Sequence, residues 1–215
     1  MIRAGLFDLD GTLLDSMYVW NHVDACFFAR RGLEMPPDYP RSISGMSFVN
    51  TARYTKGRFD LPEDVEEIMA EWTALAREEY VLRVPLKKGA LEFLRALRER
   101  GVRLCVVTTL LPELAGPCLA RNGVDSFFEF ILTTHEAGSR VKSDGHVYRA
   151  AAQRLGVDPT DCAVFEDVEA GIVGARACGM RAYCVQDPIS THHPERIRLL
   201  ADGMSENIME FLARL

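Results

Sequence analysis

Apolar positions along this chain follow two rhythms. Residues 2–9 form a short apolar run that stops at Asp10-Gly11, which predicts a strand entering a sharp turn. After Asp15 the spacing becomes helical. Val19, Trp20, Val23, Phe27 and Phe28 recur on one side, and Gly32 behind Arg30-Arg31 supplies the stop. Residues 35–40, with three prolines, predict a loop, and 47–56 a short helix. A longer helix is expected from Pro62 in its first turn, with Val65, Ile68, Met69, Trp72, Leu75 and Ala76 on one stripe. Residues 16–84 thus read as helical and free of strands, closed by Pro85.

From Lys88 the two rhythms alternate. Helices are predicted over 88–100, 112–122, 146–155 and 171–178, each followed by a glycine (Gly101, Gly123, Gly156, Gly179). Between them lie apolar runs at 102–107, 131–133, 163–165 and 182–185, and a loop from Asp187 leads into terminal helices. Continuous apolar strands alternating with helices imply a parallel sheet covered on both faces. The expected fold is therefore α/β, a Rossmann-like doubly wound core of residues 1–15 and 85–215 with an inserted α-helical cap of residues 16–84. Ligands of such sheets sit outside the carboxyl ends of the strands.

At 215 residues the chain can bury a catalytic site. Its net charge of −6, with no long basic run, argues against nucleic acid or an anionic membrane as partner. The cysteines Cys26, Cys105, Cys118, Cys162, Cys178 and Cys184 are scattered without a C-x-x-C pair, as buried thiols of a reducing compartment would be. Met1 leads straight into the first strand, and no apolar run approaches a membrane span. A cytoplasmic protein, monomer or weak dimer, is expected.

The chemistry gathers at strand ends. Asp8 and Asp10 are one residue apart, so a strand through both would put their carboxylates on one side with roughly 7 Å between Cα atoms. At about 5 Å and an effective dielectric of about 20, two such charges repel by roughly 3 kcal/mol, which favours a proton or a cation between them. Gly11 permits a sharp exit and leaves amides free for an anion. Thr108-Thr109 follows the strand at 102–107, either as a turn former or as a phosphoryl contact. Lys142 and Arg140 share a loop before a helix, where a cation is either solvated or aimed at an anion. Glu166-Asp167 follows the strand at 163–165, where it either offsets a helix dipole or holds a hard metal ion. No His/Cys cluster competes: His192-His193 reads as a loop pair, and His22, His135 and His146 are isolated.

The string Phe7-Asp8-Leu9-Asp10-Gly11-Thr12 resembles the first signature of the haloacid dehalogenase-like superfamily, and Thr108, Lys142 and Glu166-Asp167 match the other three in order. The resemblance spans the chain and points to the phosphoglucomutase-like subgroup with a helical cap. It implies a phosphomonoester hydrolase in which Asp8 is the nucleophile and Asp10 the acid/base. Thr108, Thr109 and Lys142 would hold the phosphate, Mg²⁺ would be bound by Asp8, Asp10, Glu166 and Asp167, and the cap would close over a small phosphorylated metabolite. Three departures stand out. Thr109 replaces a common Asn, and Lys142-Ser143-Asp144-Gly145 lacks both prolines of the usual K-P-D-P segment. Trp20 and Phe48 stand where the β-phosphoglucomutases have a cap His and, in Gly45-Met46-Ser47-Phe48, an Arg. Hydrolysis is therefore expected, with a phosphomutase as the rival and a non-catalytic phospho-ligand binder behind it.

Overall fold

The first apolar run becomes strand β1 (Ala4–Phe7), shorter than the predicted 2–9, with all four residues buried. A computed structural model describes residues 2–43, 46, 48–139 and 141–215. The strand ends at Phe7 because the next residues turn: the amides of Thr12, Leu13 and Leu14 all donate to the Leu9 carbonyl. Asp10 therefore leaves the strand's alternation.

Four helices follow: α1 (Val19–Arg30), α2 (Tyr39–Ile43), α3 (Phe48–Phe59) and α4 (Val65–Leu82). The rest of the chain is α5 (Ala90–Glu99), β2 (Arg103–Thr108), α6 (Pro112–Arg121), β3 (Ile131–Thr133), α7 (His146–Leu155), β4 (Cys162–Glu166), α8 (Glu169–Ala177), β5 (Arg181–Val185), α9 (Pro194–Leu200) and β6 (Gly203–Ser205). Two compact units result, one of Met1–Met17 with Val84–Leu215 and one of Tyr18–Arg83.

In the larger unit six strands run in the order β3-β2-β1-β4-β5-β6, and every pairing is parallel. The chain winds outward from β1 in one direction through β2 and β3, then in the other through β4, β5 and β6. The reversal falls between β1 and β4, where the ends of the diverging connections leave a crevice. Both faces are covered. Ala4, Leu6, Val164, Ala182 and Cys184 pack with Val147, Ala151, Ile172 and Ile197 on one side. On the other, Phe7 stacks on Phe165 at 4.6 Å and Phe165 on Tyr183 at 5.6 Å, with Phe93 and Phe211 packed against them. Each such pair contributes about 0.5–1.5 kcal/mol beyond area burial. The six cysteines are free thiols, four of them buried. Among the described residues no helix is long and apolar enough to cross a membrane.

The smaller unit has an aromatic centre in which Phe28 packs edge-on against Tyr39 and Phe59, and Phe27 against Trp72. Arg31 lies over the Phe27 ring and reaches Glu63 and Glu71, both at 2.7 Å. Four expectations are corrected. Residues 39–40 belong to α2 rather than to a loop. The helix predicted over 47–56 runs on to Phe59, and Ser47 lies outside the described residues. Pro62 is not in the first turn of α4, because Asp64 accepts from the Glu67 amide at 2.7 Å while Glu67 accepts from the Asp64 amide at 2.9 Å. That reciprocal cap fixes the start at Val65. Finally, β6 lies where the sequence predicts only a loop and terminal helices, because three residues with one large apolar side chain carry no period. Replacing Asp64 by Ala should cost about 1 kcal/mol. A thermal melt should fall by roughly 2–4 °C, and an unchanged melt would show that the cap contributes nothing.

Candidate active site

Parallel pairing of β1 with β4, with Phe7 opposite Phe165, places Asp8 and the Glu166-Asp167 pair side by side at the carboxyl end of the sheet. The Asp8 amide donates to the Phe165 carbonyl at 3.0 Å, carrying the pairing one residue past the strand. All three carboxyl groups are buried, and one oxygen from each lies within 4.8 Å of the others. Lys142, in a 3₁₀ turn (Lys142–Asp144), is also buried. Its Nζ bridges Asp8 Oδ1 and Glu166 Oε1, the latter at 2.5 Å. Tyr148 on α7 donates its hydroxyl to Glu166 Oε1 at 2.9 Å. Thr12 Oγ1, also buried, faces Asp167 Oδ1 at 3.5 Å.

The electrostatics of this cluster are lopsided. Three carboxylates against one ammonium leave a formal charge of −2 when all are ionised. Burial pushes the Asp8 carboxyl well above the usual carboxylate range; Lys142 opposes this, and Glu166, Asp167 and Asp10 add to it. Asp167 is raised to about 7, by burial and then by Glu166. Burial works to lower the Lys142 pKa, but Asp8 and Glu166 more than offset it, so Lys142 stays a cation. The Tyr148 hydroxyl is likewise held well above its ordinary range, by burial and by Glu166, and so remains a donor. A buried site with two excess negative charges and hard oxygen donors fits a divalent cation such as Mg²⁺ or Ca²⁺.

The sequence-predicted residues divide. Asp8, Lys142, Glu166 and Asp167 come together. Asp10 does not join that set of metal-capable oxygens; it is half-buried in the turn after β1 and accepts from Ser16 Oγ at 2.6 Å. Thr108 ends β2 and is buried, its Oγ1 accepting from the Leu110 amide at 3.0 Å, whereas Thr109 is exposed. Arg140 lies outside the described residues.

Sequence reasoning missed the supports. Tyr148 shares helical spacing with Val147, Ala151 and Leu155, so it reads as core. Lys87 donates to the Gly11 carbonyl at 2.7 Å and to Asp187 Oδ2 at 2.9 Å, holding the turn behind Asp10. Gly11 itself has φ of +76°, and a Cβ there would lie 2.3 Å from Asp167 Oδ2. Thr191 Oγ1 donates to the Asp167 carbonyl at 2.9 Å, fixing the loop beyond β5 beneath the acidic pair. Glycine at 171 is required by close approach, since a Cβ there would meet the Glu166 carboxylate at 2.2–2.5 Å. Only the E-D-to-glycine spacing could have signalled that contact.

Gly171→Ala should therefore displace Glu166 and weaken divalent-cation affinity at least tenfold. Gly116→Ala, on α6 with open space around the added methyl, should leave it unchanged. Equal affinities in both variants by isothermal titration would contradict the packing role of Gly171.

Known proteins resemble this chain along most of its length. A family model for haloacid dehalogenase-like hydrolases matches residues 2–179. The validoxylamine A 7'-phosphate phosphatase of Streptomyces hygroscopicus subsp. limoneus is 30% identical over 98% of this chain and 96% of its own length. Hexitol phosphatase B of Escherichia coli (strain K12) is 26% identical over 99% and 96%. CbbY from Rhodobacter sphaeroides, solved in complex with phosphate, superposes with a TM-score of 0.80 over 98% and 96% of the two chains at 22% identity. With the sheet order, the acidic crevice and these matches taken together, the chain belongs to the haloacid dehalogenase-like hydrolase family.

Proposed function

We propose that this hydrolase is a Mg²⁺-dependent phosphatase acting on a small phosphorylated metabolite through an aspartyl-phosphate on Asp8. The observation that carries the proposal is the buried quartet of Asp8, Lys142, Glu166 and Asp167, with its formal charge of −2. The relatives from Streptomyces hygroscopicus and Escherichia coli are themselves phosphatases by name, which supports this reading.

A bound divalent cation, held by Asp8, Asp167 and Glu166, would neutralise charge on the transferring phosphoryl group. The chain's own groups do the rest. Lys142 directs Asp8, opposes the upward shift that burial imposes on its carboxyl, and adds a positive charge beside the phosphoryl oxygens. An Asp8 oxygen forms a bond to phosphorus as the ester oxygen leaves, and the Asp10 carboxyl gives its proton to that oxygen, releasing the alcohol. Asp10, now ionised and steadied by the Ser16 hydroxyl, takes a proton from water as the water oxygen bonds to phosphorus. The Asp8–phosphorus bond then breaks, freeing inorganic phosphate and regenerating both carboxyl groups. Thr108 and Thr109, at the end of β2, are the proposed partners of the phosphoryl oxygens.

The rival phosphomutase finds no support in the cap positions. Trp20 cannot exchange a proton in place of a histidine, and its ring packs against Phe48 at 5.7 Å, so two apolar rings stand where that activity would require polar groups. Gly45 and Ser47, of the segment before Phe48, lie outside the described residues.

Two outcomes follow. Excess EDTA should abolish phosphate release from a sugar-phosphate panel, and Mg²⁺ should restore it while Ca²⁺ does not, because a looser coordination shell disturbs the in-line geometry. Activity persisting in EDTA, or interconversion of glucose 1- and 6-phosphates, would refute the assignment. Asp10→Asn should lower turnover of alkyl phosphates by about 10²–10⁴-fold. Its effect on p-nitrophenyl phosphate should be much smaller, since that leaving group needs little protonation. Equal losses on both would exclude acid catalysis by Asp10.

A further inference from the structure

The segment that leaves β5, Gln186-Asp187-Pro188-Ile189-Ser190-Thr191, is tied down by its own side chains. Asp187 Oδ1 accepts from the Ile189 amide at 2.9 Å and from the Ser190 amide at 3.3 Å, while Oδ2 takes the Lys87 ammonium. Thr191 Oγ1 accepts from the Asp187 amide at 2.8 Å and donates to the Asp167 carbonyl. The side chains of Asp187 and Thr191 are thereby spent; that of Ser190 is not. Ser190 is 6% exposed, and its Oγ is buried without a hydrogen-bond partner among the described residues. Gly11 shows what it lies beside. A Cβ at Gly11 would stand 2.9 Å from Ser190 Oγ and 2.3 Å from Asp167 Oδ2, so the two oxygens border one small gap that a glycine leaves open.

Asp167 is the member of the acidic set with the least support. Lys142 is spent on Asp8 and Glu166, and Tyr148 on Glu166. Thr12 Oγ1 faces Asp167 Oδ1 at 3.5 Å, longer than an ordinary O–H···O bond. The Ser190 hydroxyl stands near enough to favour the ionised form of the Asp167 carboxyl, though short of a formed hydrogen bond. A buried O–H without an acceptor thus adjoins a carboxylate short of donors, and a hydroxyl bonded to a carboxylate is among the stronger hydrogen bonds. A purely structural hydroxyl would be used within its own loop, but the carboxylate there is occupied by two amides and an ammonium. We propose that Ser190 is a positioning residue of the metal site, its hydroxyl donating to Asp167 Oδ2 and fixing the direction in which that carboxylate meets a divalent cation. The inference rests on the metal-dependent reading above. The family model matches residues 2–179 and so assigns nothing to Ser190.

Isothermal titration of the full chain, dialysed free of metal, with Mg²⁺ tests this without substrate. Ser190→Ala should weaken Mg²⁺ binding about tenfold, the usual effect of removing a group that orients a metal ligand. A thermal melt separates that role from a structural one. The substitution deletes a buried hydroxyl that has no partner, so the melt of the metal-free protein should stay the same or rise, while the further rise on adding Mg²⁺ should shrink. Turnover by Ser190→Ala should recover at saturating Mg²⁺, because the hydroxyl acts through Asp167 and not on the phosphoryl group. Equal Mg²⁺ affinities would overturn the proposal, and so would a weakened affinity accompanied by a lowered metal-free melt, which would make Ser190 a structural group. Because affinity is read without catalysis, a tenfold loss in a protein that hydrolyses no phosphoester would sink the phosphatase reading and leave the role of Ser190 standing. An active, Mg²⁺-dependent phosphatase indifferent to Ser190→Ala would do the reverse.

Discussion

The structure of the larger unit turns on one buried ammonium group. Lys142 sits between Asp8 and Glu166, and without it three carboxyl groups within 4.8 Å would face one another in a site removed from water. Such a set can exist only if it is protonated or if cations enter. A single lysine supplies one positive charge, enough to hold Asp8 and Glu166 but too little for Asp167 as well. That shortfall is the functional content of the site. It leaves a buried demand for positive charge that a divalent cation would meet.

Much of the surrounding fold serves to hold that balance. Parallel pairing of β1 with β4 fixes which carboxylates meet. The aromatic stack of Phe7, Phe165 and Tyr183 keeps those strands in register from below. Lys87 and Asp187 tie the turn carrying Gly11, and Thr191 ties the backbone of Asp167. Tyr148 and Gly171 confine Glu166 from two sides, one with a hydrogen bond and one by the absence of a side chain. Apart from the aromatic stack and Gly171, these contacts are hydrogen bonds and an ion pair to polar groups of the site.

How far the sequence alone reaches depends on the kind of signal a residue leaves. Asp8, Lys142, Glu166 and Asp167 are ambiguous one by one and legible together through the resemblance of their motifs to the four family signatures, while strand ends of a parallel sheet converge. The doubly wound sheet was legible because runs such as Leu104-Cys105-Val106-Val107 have no polar face. Asp10 lies beyond β1, which ends at Phe7 before Leu9 collects the turn's amides, so the period of two does not reach it. Tyr148 was invisible because one hydroxyl on a core helix has no periodic trace. Pro62 misled through a propensity that the stronger reciprocal cap of Asp64 and Glu67 overrode.

The central claim is that Asp8 takes the phosphoryl group onto its own carboxylate. Acid quenching during steady turnover of a sugar phosphate, followed by tandem mass spectrometry of the N-terminal peptide, tests it most directly. The account predicts a phosphoryl increment on Asp8 that is present during turnover, disappears once the substrate is exhausted, and is absent in Asp8→Asn. Phosphate release with no modified Asp8 at any quench time, or with activity intact in Asp8→Asn after deamidation is excluded by mass, would contradict it.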